Sequence, residues 1–208
     1  MRSKIVFLLL VALVLTLGTI LASQSFSQEN NALLDSNQPV EESETVFVES
    51  SWARWYPNFE SLMGNFNLVV VGKVIKSQLD PQDQMFTFHE VLVQELMKDS
   101  SSEVKKGSTI TIYQFGGIWT PSLDLPPVQV ELLDCPLMKE GETSLLFLNQ
   151  RSDRMYAGIS PQTRFIVKDN KVYWLGAIYE NKNIIVSENL QIEGKGLRET
   201  ISMLQQLP

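Results

Sequence analysis

The sequence predicts a mainly β domain, an antiparallel barrel or sandwich of short strands carrying a C-terminal helix and preceded by an N-terminal hydrophobic helix. Three observations predict it. β-Branched and aromatic runs recur at close spacing between residues 67 and 174, punctuated by glycine, proline and Asp-Asn turns. These runs are too closely spaced to leave room for the crossover helices of a parallel sheet. The last residues place apolar side chains at helical intervals.

The N-terminus comes first. Met1-Arg-Ser-Lys4 is a positive flank, and Ile5 to Ala22 is apolar or weakly polar throughout. Signal-peptide cores span about 7–15 residues and membrane-spanning helices about 17–25, so this segment lies between the two. Residues 1–23 are expected to be a signal peptide or a membrane anchor. Either one sends the remainder out of the cytoplasm, to be secreted or held at the membrane by the N-terminal helix.

Residues 24–50 carry Glu29, Asp35, Glu41, Glu42, Glu44 and Glu49 with no Lys or Arg, in a background of Gln, Asn and Ser. Such a composition buries too little apolar surface to fold, and a disordered acidic spacer is expected. Residues 51–66 form an aromatic lead-in containing Trp52, Trp55, Tyr56 and Phe59. It is either a surface for a partner or carbohydrate, or a segment packed on the domain. Packing is favoured, because exposed aromatic clusters invite association.

The domain proper is expected over 67–208. Leu68–Ile75 is the strongest strand, with Gly72 marking a bulge or a sharp coil. Asp80-Pro-Gln-Asp83 turns the chain into a second long strand, Met85 to Leu96. There the apolar phase moves from Phe86 and Phe88 to Val91 and Val93, which predicts a bulge near His89-Glu90. Thr109–Tyr113 alternates as a third strand and is ended by Gly116-Gly117, before a proline-bearing loop from Trp119 to Pro127. Val128–Leu133, Thr143–Leu148, Tyr156–Gly158, Thr163–Val167 and Val172–Trp174 follow, the last pair joined at Asp169-Asn170. A helix over Gly196–Leu207 is expected to cover one barrel end.

The order of these pieces resembles a group of small exported bacterial and archaeal domains. The resemblance is carried by Val70-Val-Gly-Lys-Val74, Leu96-Met-Lys98, Gly107-Ser-Thr-Ile110, Gly116-Gly117, Pro136 to Glu142, Leu145 to Leu148, Tyr156 and Phe165. Those domains are similar to the oligonucleotide/oligosaccharide-binding (OB) barrel of netrin modules and tissue inhibitors of metalloproteinases. The resemblance implies an OB-like barrel over about residues 67–206. It does not carry the inhibitors' chemistry, which uses an N-terminal cysteine, whereas the one cysteine here is Cys135.

Charge and composition exclude several functions. The net charge is −7, and Arg2 and Lys4 both precede the apolar run, so the exported part is more acidic still. Nucleic acid is disfavoured as a partner, and membrane contact is expected only through the N-terminal segment. One cysteine allows no internal disulfide, and Cys135 reads as a small buried hydrophobe. His89 is the single histidine and reads as an exposed strand residue, so no catalytic residues are assigned. Zinc needs three or four Cys and His ligands, and no metal ligands or cofactors are expected. Asp80 and Asp83 flank one turn, and Asp134, Glu140 and Glu142 crowd another, without the spacing of a calcium loop.

What remains is an exported, non-catalytic binding module whose partner is an envelope or extracellular protein. The alternative is an extracytoplasmic carboxylate hydrolase whose acids the sequence does not single out. The candidate binding residues are Trp119 and Asp124, in a loop stiffened by Pro121, Pro126 and Pro127. Trp119 is either a recognition anchor or a plug in the barrel mouth.

Overall fold

The uninterrupted β-branched run of the sequence becomes a twelve-residue strand, Leu68–Leu79, around which the rest is organised. The structure, a computed structural model, describes residues 45–122, 125–153, 155–180, 184 and 186–207. The candidate signal or anchor, most of the acidic spacer and Asp124 lie outside the described residues.

In chain order the strands are β1 (Thr45–Val48), β2 (Leu68–Leu79), β3 (Phe86–Asp99), β4 (Thr109–Phe115), β5 (Gly117–Trp119) and β6 (Val128–Leu132). They continue as β7 (Thr143–Gln150), β8 (Tyr156–Ala157), β9 (Arg164–Lys168), β10 (Lys171–Trp174) and β11 (Glu193–Gly196). The helices are α1 (Phe59–Asn65), α2 (Leu175–Tyr179) and α3 (Leu197–Leu204).

The protein is mainly β and contains a closed five-stranded barrel of the OB-like kind. β2 pairs antiparallel with both β3 and β7, and β3 pairs with β4. β8 closes the circle, parallel to β4 at Ile112↔Tyr156 and antiparallel to the end of β7 at Gln150↔Tyr156. The first half of that same β7 edge carries β9, and β10 and β11 continue the sheet outward. β1, β6 and β5 form a separate three-stranded sheet in that order.

Alternation along β2 divides its side chains between two cores. Leu68, Val70 and Val74 fill the barrel with Val91, Val93, Ile112, Leu146 and Leu148. Val69 and Val71 face outward into a second core with Phe59, Phe147, Phe165, Val172 and Leu204. α3 therefore packs on the outer face of the β2–β7–β9–β10 sheet, not over a barrel end as the sequence suggested. Its apolar stripe needed a flat apolar surface, and the outward valines and phenylalanines supply one.

Several local expectations are corrected by the register. The phase change in β3 is not a bulge at His89-Glu90: Thr87, His89, Val91 and Val93 all point inward, while Phe86 and Phe88 point outward. The extra residue lies on the partner strand, where Val74 faces Val91, Lys76 faces Glu90, and Ile75 is skipped. Gly72 does sit at a register shift, and a Cβ there would run into the side chain of Val91. The Asp169-Asn170 turn has φ of 53° and 58°, the left-handed pair of a tight hairpin.

The spacer boundary also moves. Residues 45–48 of the expected disordered spacer pair with Gln129–Leu132 of β6 as a parallel strand. Thr45-Val-Phe-Val48 is a β-prone island in an acidic, polar stretch whose average hides it. The lead-in packs, as favoured. Tyr56 and Phe59 are buried, Asn58 caps α1 by accepting a hydrogen bond from the Ser61 N–H at 2.9 Å, and among the aromatic residues of the lead-in only Trp55 stays largely exposed.

Candidate functional site: an aromatic ladder on the outer face of the barrel

Because Thr87, His89 and Val91 fill the barrel, the residues between them face out. Phe86 lies opposite Phe115, and Phe88 opposite Tyr113. Four rings therefore stand on one face of the β3–β4 hairpin, each half-buried against the others. Phe86 and Tyr113 stack at 4.5 Å between centroids with 14° between planes. Phe115 meets Phe86 edge-on at 5.5 Å, and Phe88 lies 5.3 Å from Tyr113. The Arg151 guanidinium sits over the Tyr113 ring at 4.4 Å and is paired with Asp153 at 3.2 Å. Burial raises the Tyr113 hydroxyl above its ordinary pKa, Asp80, Asp83 and Asp153 add to the rise, and Arg151 opposes it. The rim of the ladder is thus acidic.

Trp119 is placed beside this face, though not within it. At Gly116 the chain leaves β4 with a φ of 125°, where a Cβ would sit 2.9 Å from Leu137. It then starts β5 at once: Gly116 N–H bonds to Met85 O at 2.9 Å, and Ile118 N–H to Gln84 O at 2.7 Å. Trp119 pairs with Val128 and is 48% exposed, which removes the reading of a barrel plug. The apolar phase of the sequence places Phe86 and Phe88 in the core, which hides the ring ladder. The signal was present: Phe-x-Phe at 86–88 and Tyr-x-Phe at 113–115 put four rings on one face once the strands pair.

The other polar constellation is inside. His89, expected at the surface, is fully buried at the barrel end covered by the 133–142 loop. Its Nδ1 shares a 2.8 Å hydrogen bond with Ser77 Oγ, while Nε2 is buried with no hydrogen-bond partner among the described residues. Burial, and then the nearby Arg164 charge, lower its pKa to about 4, and the Gln114 side chain opposes them only weakly. Gln114 in turn donates to Pro136 O at 3.1 Å and accepts from Met138 N–H at 3.1 Å, pinning the loop.

Arg164, also fully buried, donates to both Glu142 oxygens at 3.0 and 2.9 Å and to the carbonyl of Pro136. Burial works against its charge, and Glu142 more than restores it, so its pKa lies above the ordinary value. Cys135 is buried beside this pair, and burial pushes its thiol up to about 12. A thiol so held is no nucleophile.

The acids singled out by the sequence are each engaged locally. Asp80 accepts from Gln82 N–H and Asp83 from Met85 N–H, which caps the β2–β3 turn. Asp134 accepts from Ser50 and Trp52, Glu140 from Ser77 N–H, and Glu142 from Ser144 and Arg164. Among the described residues no group of three metal-ligating side chains comes together, and no helix is long and apolar enough to cross a membrane. Compared with known protein families and with curated proteins, the chain matches none.

Proposed function

We propose that this protein is an exported, non-catalytic binding module of the cell envelope or extracellular space, and that its ligand lies across the aromatic ladder of β3 and β4. The observation that carries the reading is the set of four outward rings, stacked on one another and topped by Arg151. Ring faces attract other flat, apolar faces, and a patch ordered before binding loses little entropy when occupied. The acidic rim of Asp80, Asp83 and Asp153 opposes polyanions, in line with the chain's net charge of −7. An uncharged polymer with ring faces, a neutral glycan, fits both properties. The local engagement of Asp80, Asp83, Asp134 and Glu142 supports binding over carboxylate catalysis.

The test is retention of the purified protein on insoluble chitin, cellulose and starch. Wild type is expected to be held by at least one of them. The double variant Phe88→Ser, Tyr113→Ser is expected to lose at least about tenfold in affinity, since aromatic pairs contribute about 0.5–1.5 kcal/mol each. Both side chains point outward, so the barrel should survive, which circular dichroism would check. Retention that ignores the substitutions, or no retention on any of the three, would overturn the reading.

A further inference from the structure

The edge of β1 has chemistry that the ladder does not use. β1 pairs with β6 on one side only, and among the described residues no strand pairs with its other side. The direction of its free groups follows from one bond. Leu133 N–H donates to Val48 O at 3.0 Å, so the backbone groups of Val48 face β6. In a parallel ladder a residue's N–H and C=O point the same way and alternate along the strand. Val46 therefore also faces β6, while Thr45, Phe47 and Glu49 present their backbone groups outward.

The side chains along this edge are apolar and uncovered. Val46, Phe47 and Val48 are 39%, 58% and 39% exposed, so neither face of the strand is sealed by the barrel. An exposed apolar edge is a template for another strand, and native proteins commonly blunt such edges with Lys or Pro. This one has neither: no Lys or Arg occurs between Lys4 and Arg54. The charges around it are instead negative. Glu49 follows the strand and is exposed, and Glu131 lies directly beside Phe47 on β6. Among the described residues neither carboxylate has a cationic partner; Glu131 accepts only from Gln129 and the Leu137 N–H. Glu41, Glu42 and Glu44 precede the strand in the sequence.

We infer that the outer edge of β1 is a strand-addition site for an extended peptide segment with alternating apolar residues and flanking Lys or Arg. Backbone bonds to Phe47 supply register, an apolar side chain covers the Phe47 ring, and a basic residue meets Glu131 or Glu49. A second copy of the chain fits less well. Each copy carries −7, and a four-residue edge buries far less than the roughly 1,200–2,000 Å² of a stable interface. The site is separate from the ladder, so ladder substitutions should leave it unchanged.

The experiment titrates the full chain with a blocked peptide of alternating valine and threonine bearing a lysine at each end, and with its glutamate-ended counterpart. The lysine peptide is expected to bind at least about tenfold more tightly, and the difference should shrink with salt. Phe47→Pro deletes an outward N–H and no bond to β6, so it should abolish binding while the fold persists. Glu49→Lys keeps every backbone bond and should reverse the preference between peptides, which tests the idea even if the proline variant folds poorly. Equal binding of both peptides, or binding that survives both substitutions, would overturn it. So would a dimer in sedimentation that Phe47→Pro dissolves, because a second copy would then own the edge.

Discussion

The single histidine makes the barrel interior readable by titration. His89 is buried and neutral, and its pKa falls from 6.5 to about 4 on folding. A folded pKa below the unfolded one means that the native state resists protonation. The associated stability is complete above pH 6.5 and is lost as the pH falls towards 4. At about 1.4 kcal/mol per pH unit, that interval corresponds to about 3 kcal/mol. The groups facing the imidazole are Ser77, Gln114 and the Arg164 cation; Gln114 favours an imidazolium, but less than burial and Arg164 disfavour it. Urea unfolding at a series of pH values from 7.5 to 4.5 measures the loss. His89→Asn retains an acceptor for the Ser77 hydroxyl but no titrating group. It is expected to be less stable at pH 7, since it leaves a small void, and nearly flat across the window. A wild-type stability that does not change between pH 7 and 4.5 refutes the reasoning, as does a His89→Asn profile that falls just as steeply.

Arg164→Met would leave the half-buried Glu142 without its guanidinium, and a loss of about 3 kcal/mol in urea unfolding is expected. Because a thiol at about 12 in the core is neither ionised nor reachable, Cys135 should alkylate at least about a hundredfold more slowly in the native protein at pH 8.5 than in urea. Rapid native labelling would place it outside the core. A reporter fused after residue 60 should be active only outside the cytoplasm, and cytoplasmic activity would end the export reading.

The strands were legible because strand cores are local: β-branched runs and Asp-Asn, Asp-Pro and glycine turns state themselves in a few residues. What was not legible is the sidedness of those strands. Phe86-x-Phe88 and Val91-x-Val93 are both apolar pairs, and only pairing with β2 and β4 sends one outward and the other in. The same ambiguity hid His89, whose polarity suggested the surface while its phase with Val91 and Val93 fixed it inside. Its companions Gln114, Arg164 and Glu142 come from three further segments, so no window of sequence contains the cluster. β1 was lost in the average composition of its acidic surroundings. Trp119 stands out in the sequence because one large ring among prolines is a local signal, whereas the ladder is assembled only by the pairing of β3 with β4.

The segment that leads into the barrel also has a mechanical meaning. From Thr45 onward it is held by successive small fasteners: four residue pairs with β6, then Asp134 gripping Ser50 and Trp52. Gln162 then brackets Arg54 O and Tyr56 N–H, and Ser187 and Asn189 both hold Pro57 O. A pull applied at Thr45 loads these in sequence and not together. Each can yield and re-form while the barrel stays shut, releasing up to roughly 40 Å of slack over 13 residues at about 3.3 Å each. The lead-in is built as a stitched seam that gives before the cloth tears.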